Sequence, residues 1–173
     1  MDIPEKYREV IEPLIAKARS FVEAGESLAP IAFVGNFATR QILHVAIGTA
    51  NDEAKDRSAL AIQMAAAQLD ADFVFTAMEA WGLRKDKVSR HEEIREQYGS
   101  IAASPYKVDV VSFILETRYG IWAAQVSLKP KGHSKKRRTF GDATFLRMDS
   151  AEGRFVGLLP ERADALLAGT PLQ

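Results

Sequence analysis

"YKVDVVSFILETRYGIWAAQVSL", residues 106–128, is the stretch that decides the fold. It contains two runs rich in β-branched and aromatic residues, 106–117 and 120–128, separated only by Arg118 and Tyr119. Gly120 follows this connection directly and supplies the positive φ that tight turns often need. Strands joined by so short a connection can only be antiparallel neighbours. The stretch therefore predicts a long β-hairpin.

Downstream of the hairpin, the chain predicts more antiparallel structure. RTFGDATFLRMD, residues 138–149, has the composition of a third long strand. GRFVGLLPERADALLAG, residues 153–169, predicts a short strand followed by a terminal helix, with Pro160 in its first turn.

Upstream of the hairpin, helices and strands alternate. The first segment has apolar residues at helical spacing and predicts an amphipathic helix capped by Asp2, with either a kink at Pro13 or a division there into two short helices. IAFVGNF and QILHVAIG predict a first β-hairpin. A second helix at about residues 52–69, begun by Thr49 or Asn51, and a strand at 72–82 follow.

This order of elements predicts an α+β fold in one globular domain, residues 1–173. We expect a single mixed, mostly antiparallel sheet, because the helix between the second and third strands permits one parallel pair. The helices are expected to cover mainly one face of the sheet. A polar excursion at residues 83–105 is the longest irregular connection.

Composition excludes several classes of protein. The 173 residues carry 23 basic and 23 acidic side chains, a formal net charge of zero that predicts no general affinity for DNA or anionic membranes. There is no cysteine, which removes disulfides and thiolate chemistry and fits a reducing cytoplasm. The N-terminus lacks the basic start and apolar run of a signal peptide. We therefore expect a cytoplasmic protein without a cofactor.

Glu79 is the first candidate for chemistry. In an extended strand it shares a face with Phe73, Phe75, Ala77 and Trp81, so its carboxylate projects from an apolar surface. Burial raises the pKa of a carboxyl group, which makes its carboxylate a stronger base and a candidate general base. A small hydrolase-like enzyme would use Glu79 as its base. Its pocket wall would be Trp81, and either Arg84 or Glu116 would lie nearby. The alternative is a structural ion pair between Glu79 and Arg84 or an arginine of a neighbouring strand.

The other titratable residues predict no metal site. Asp109 and Glu116 lie seven positions apart on one strand, hence on opposite faces, and either could approach Glu79 only in a suitable register. His44, His91 and His133 have no ligand spacing typical of zinc. We expect His44 to be a core or sheet-face residue. The Gly-x-Ser-x-Gly and phosphate-loop motifs are also absent.

The decapeptide KPKGHSKKRR, residues 129–138, is the second candidate site. It contains six basic side chains, which leave 17 basic against 23 acidic residues elsewhere. Its lysines and arginines predict either a solvated hairpin tip, or a surface for nucleic acid or another polyanion, or a contact with another acidic partner. The loop itself has no aromatic residue for stacking on bases. The candidates for polyanion binding are Lys129, Lys131, Lys135, Lys136, Arg137 and Arg138.

Three stretches, DFVFTAMEAWG (72–82), SPYKVDVVSFILETRYGIWAAQVSL (104–128) and GRFVGLLP (153–160), carry a resemblance. The chain resembles a group of small bacterial proteins of unassigned function that share an acidic-Ala-Trp strand end and a Gly-Arg-Phe near the C-terminus. The resemblance implies a common fold and brings no catalytic residues with it.

An apolar core without a complete catalytic constellation favours a non-enzymatic binding or accessory protein. We expect a homodimer, formed through a sheet edge or through the hairpin of Tyr119 and Trp122. The hydrolase and polyanion-binding hypotheses remain the two alternatives.

Overall fold

The computed structural model describes residues 2–134 and 136–160. Three α-helices and eight strands are present in these ranges, together with a 3-10 helix at Lys85–Arg90. In chain order the elements are α1 (Glu5–Glu23), β1 (Ile31–Asn36), β2 (Gln41–Ala46), α2 (Asp52–Leu69), β3 (Phe73–Leu83), α3 (His91–Tyr98), β4 (Lys107–Thr117), β5 (Gly120–Ser127), β6 (Lys129–Pro130), β7 (Arg138–Thr139) and β8 (Leu146–Met148). The predicted α+β class is confirmed.

Six strands form the main sheet in the order β2-β1-β3-β4-β5-β8, and every pairing is antiparallel. The expected parallel pair is not found among the described strands. β2 and β3 run in the same direction, as strands connected through a helix do. However, β1 lies between them and pairs with both. The common direction of β2 and β3 was therefore predicted correctly, but the expectation that they pair with each other was wrong.

Helices cover both faces of the sheet, not mainly one. On one face α1 packs over Phe73, Phe75 and Phe113. On the other face α2 packs over Val34 and Val74. Consecutive apolar residues in β1 and β3 make both of their faces apolar, so each face needs a covering layer.

α1 is a single helix that includes Pro13, so the alternative of two short helices was wrong. Its N-cap is Pro4, with no side-chain cap bond, so Asp2 is not the cap. Proline inside a helix costs about 3 kcal/mol. The helix retains its length because five buried residues form one stripe along it: Tyr7, Ile11, Ile15, Ala18 and Val22. α2 begins as predicted, with the side chain of Asn51 accepting a hydrogen bond from Ala54 N–H at 2.7 Å.

The third long strand predicted at 138–149 is divided into β7 and β8. Between them Phe140 enters the core beneath α1 and is only 2% exposed. The Arg19 guanidinium donates to the carbonyl oxygens of Phe140 and Gly141 at 3.0 and 3.2 Å, and it lies over the Phe140 ring. Burial of Phe140 draws the chain out of the sheet and ends the strand.

Residues 153–160 form turns and bends instead of the expected short strand. The terminal helix predicted after Pro160 lies outside the described residues. None of the helices in the described ranges combines the length and apolar character that crossing a membrane requires.

Candidate functional site

Glu79 lies near the end of β3, on the same face as Phe75 and Ala77, as the alternation of side chains predicts. Its Oε1 atom accepts hydrogen bonds from the Leu28 N–H at 3.0 Å and from Arg138 at 2.8 Å. A longer bond from Arg138, 3.5 Å, reaches Oε2. About a quarter of each side chain is exposed, 27% for Glu79 and 26% for Arg138. Of the alternatives for Glu79, the geometry corresponds to an ion pair with an arginine of another strand.

Arg138 belongs to the basic decapeptide, so the two candidate sites meet at one ion pair. β6 and β7 pair with each other as a small separate hairpin, with Lys129 opposite Thr139 and Pro130 opposite Arg138. We call residues 129–134 and 136–139 the basic hairpin; Lys135, one of the predicted polyanion-binding residues, lies outside the described residues. Its tip, residues 131–134 and 136–137, is largely exposed. The predicted hairpin tip is therefore present, and its base is attached to the domain.

Glu23, at the C-terminal end of α1, holds the other side of the basic hairpin. Its carboxylate accepts hydrogen bonds from the Thr139 hydroxyl at 2.8 Å and from Lys131 Nζ at 3.0 Å. These bonds, the one from Thr139 first and then the one from Lys131, hold the pKa of the Glu23 carboxyl below its ordinary value. The carboxylate also stabilises the positive charge that Lys131 brings to this end of α1.

Trp81 lies two residues after Glu79 in β3, and the residue is 54% exposed. A cleft of about 250 Å³ lies beside it, lined by Glu79, Ala80, Trp81, Asp109 and Arg138. We call this the Trp81 cleft. Lys107, on the neighbouring strand β4, places its Nζ atom 5.4 Å from the centre of the Trp81 ring. The cleft therefore combines an exposed aromatic ring with one cation, Arg138, and two carboxylates, and Lys107 lies over the ring.

Arg84 and Glu116, the other candidates for catalysis, do not line this cleft. Arg84 donates to Asp86 at 3.1 Å and lies over the Tyr106 ring. Glu116 lies opposite Val74 and projects from the α2 face of the sheet, whereas Glu79 projects from the α1 face. The opposite faces predicted for Asp109 and Glu116 are confirmed, and only Asp109 shares a cleft with Glu79.

Glu116 is a buried carboxylate with a structural role. It is 6% exposed and accepts the backbone N–H groups of Leu158 and Leu159 at 3.0 and 3.1 Å. These bonds fix the segment that covers the α2 face, where Leu158 enters the core. Glu116 was one of two candidates for a position near Glu79, because the sequence does not reveal that a distant backbone segment satisfies this carboxylate.

Within the described part of the chain, no three His, Asp or Glu side chains converge as a metal site would require. His44 lies on the exposed sheet face of β2 and contacts Phe33 edge-on, with ring centres 5.0 Å apart. Two other cavities, about 510 and 270 Å³, border α1 and contain none of the predicted site residues.

Sequence reasoning missed Lys107 and the Leu28 N–H as neighbours of the candidate site. Lys107 reaches Trp81 because β3 and β4 pair with Trp81 opposite Asp109 and Leu83 opposite Lys107. That register places Lys107 diagonally across from Trp81. The signal was an unusual lysine at the start of a strand, but only the register shows what it contacts. Comparisons of the chain with protein-family models, with curated proteins and with solved structures find no match.

Proposed function

We propose that the protein is a non-enzymatic binding protein that holds single-stranded nucleic acid at the Trp81 cleft and the basic hairpin. The observation that carries the proposal is that Arg138 of the basic hairpin and the exposed Trp81 line one cleft. The basic decapeptide has no aromatic residue of its own, and β3 supplies one at its base.

Stacking is the first part of the proposed recognition. Proteins that bind single strands without sequence preference stack bases on exposed aromatic rings, each worth about 1–3 kcal/mol. Trp81 exposes more than half of its side chain. Single-stranded nucleic acid is favoured over a duplex because only an unpaired base offers its face to such a ring.

Phosphate contacts are the second part. Lys107 flanks Trp81, and Lys129, Lys136 and Arg137 are exposed on the basic hairpin. Among the described residues these four cations have no acidic side chain within 4.0 Å, whereas Lys131 and Arg138 are paired with Glu23 and Glu79. Four phosphate contacts to a single strand predict a log–log salt slope of about −3.

The hydrolase hypothesis receives less support from the same geometry. Glu79 Oε1 already accepts two hydrogen bonds, and Arg138 lies across the carboxylate. A general base needs a free lone pair within reach of the proton that it abstracts. The ion pair is better suited to holding the basic hairpin beside Trp81.

Tryptophan fluorescence provides a direct test. The chain has two tryptophans, and Trp122 is 1% exposed. Quenching of the solvent-accessible fluorescence therefore reports on Trp81 alone. Titration with an oligothymidine of about 12 nucleotides should quench the exposed component. Trp81→Ala should weaken binding of a labelled oligonucleotide about 5- to 150-fold, the range that the loss of one base stack predicts.

The charge contribution needs matched variants. Lys129→Ser, Lys136→Ser and Arg137→Ser in one chain should weaken binding and flatten the salt dependence by about two in slope. The control removes three cations outside the cleft, Arg8, Lys55 and Arg57, and should leave binding unchanged. Equal losses in both triple variants, or no oligonucleotide binding by the unaltered protein at low salt, would contradict the proposal.

A further inference from the structure

β2 forms one edge of the main sheet, and its outer side has no strand beside it in the described chain. The Ile47 N–H donates to the Pro30 carbonyl oxygen at 3.0 Å, which fixes the phase of hydrogen bonding along β1 and β2. Antiparallel ladders alternate, so residues 41, 43 and 45 turn their backbone groups toward β1. Ile42, His44 and Ala46 therefore direct their N–H and C=O groups to the open side.

This edge lacks the protection that edge strands usually have. Gln41–Ala46 contains no lysine, arginine, acidic residue or proline. Ile42 and Leu43 are 43% and 40% exposed. The opposite edge differs, because β8 has only three residues and carries Arg147 at its centre. A six-residue neutral edge with exposed apolar side chains is suited to pairing with another strand.

We propose that the occupant of this edge is a second copy of the chain, with the two β2 strands antiparallel about a twofold axis. The sheet would then continue across both copies as twelve strands. Charge is compatible with this partner, because β2 carries no charged side chain and two copies can therefore pair without like-charge repulsion. The acids that follow β2, Asp52 and Glu53, are already paired with Arg154 and Arg57.

The phase of the free backbone groups restricts the register. Hydrogen bonds between the copies must join residues whose backbone groups face outward, which are the even-numbered residues of β2. The two residue numbers of every pair in the register therefore sum to an even number. Two registers with this property overlap over five residues, one centred on Leu43 and the other on His44. Both place large apolar side chains of one copy against β2 of the other.

The size of the contact sets the expected affinity. One strand per copy buries less surface than the roughly 1,200–2,000 Å² of a stable complex. We therefore expect a reversible dimer with a dissociation constant in about the micromolar range. Light scattering should give a mass that rises toward two chains with increasing concentration. A mass of one chain throughout that range would overturn the proposal.

Cysteine cross-linking tests the interface directly, because the chain has no cysteine of its own. Leu43→Cys should form a disulfide-linked dimer in the register centred on Leu43, and His44→Cys in the register centred on His44. Leu60→Cys is the control, since Leu60 is 56% exposed and belongs to α2, not to the edge strand. A cross-link at either β2 position above the Leu60 background supports the proposal. The absence of both cross-links overturns it.

Leu43→Lys tests the proposed interface without a cross-linking reaction. The substitution places an ammonium group of each copy at the interface and should shift the protein to one chain mass at concentrations where the unaltered protein is dimeric. Leu60→Lys should remain dimeric, and thermal unfolding should show that both variants are folded. A dimer that survives Leu43→Lys would place the interface elsewhere.

Discussion

Arg138 donates to Glu79 at 2.8 Å across 59 positions of sequence, and this bond joins the basic hairpin to the end of β3. The sequence predicts separate roles for the two residues, Glu79 as a possible catalytic base and Arg138 as part of a cationic loop. Together they hold a short two-stranded hairpin, which would be only marginally stable by itself, against the sheet. Both residues line the Trp81 cleft, so the shape of the cleft depends on this pair.

The coupling between Glu79 and Arg138 should be measurable. Both side chains are about a quarter exposed, so we expect an interaction free energy of about 1 kcal/mol. Urea unfolding of Glu79→Gln, Arg138→Met and the double variant provides the double-mutant cycle. An additive double variant would mean that the pair does not stabilise the hairpin.

Glu23 makes the attachment of the basic hairpin sensitive to pH. Its folded-state pKa is lowered, so its stabilisation is present above the ordinary glutamate value of about 4.3 and is lost as the pH falls through the lower folded value. Thermal unfolding between neutral and acidic pH should therefore show a larger loss for the unaltered protein than for Glu23→Gln. Parallel pH profiles for the two proteins would contradict this linkage.

Glu116→Ala should destabilise the protein by about 2 kcal/mol, because the substitution leaves two backbone N–H groups near the α2 face without their acceptor. Limited proteolysis should detect faster cleavage around residues 155–160, with chemical unfolding measuring the free energy. Glu152→Ala, at an exposed position in the same part of the chain, is the control. Equal protease resistance of the two variants would argue against the proposed role.

Gly35→Ala should cost about 2 kcal/mol, because a Cβ atom at position 35 would lie 2.3 Å from the ring of Phe73. Phe73 is 2% exposed and has little room to move. Gly141→Ala is the matched control, since a Cβ atom there meets nothing within 4 Å. Chemical unfolding should show a change of less than about 0.5 kcal/mol for the control. A stable Gly35→Ala variant would mean that the core yields at Phe73.

The hairpin of Tyr119 and Trp122 illustrates what local pattern can predict. Its strands, their antiparallel pairing and the tight turn follow from composition and from a short connection, and all are found. The prediction that this hairpin forms a dimer interface has less support, because only one of its two named aromatic residues is exposed. Trp122 is 1% exposed beneath Arg147, so this ring belongs to the core, whereas Tyr119 is 45% exposed.

Glu79, Arg84 and Glu116 show why the site could not be assembled from sequence. Alternation correctly placed Glu79 on an apolar face. The partner of a carboxylate depends on which strand lies beside it and in which register, and long-range contacts set both. Arg84 therefore pairs with nearby Asp86, Glu116 with a distant backbone, and Glu79 with the basic hairpin.

The sequence by itself determined the α+β class, most helix and strand positions, and which side chains share a strand face, because these depend on local periodicity and short connections. Tertiary structure alone decided that β1 separates β2 from β3, that helices cover both faces, and that Arg138 meets Glu79 beside Trp81. The reason is physical: side-chain alternation is a property of a few neighbouring residues, whereas strand order and ion-pair partners are chosen by burial over the whole domain.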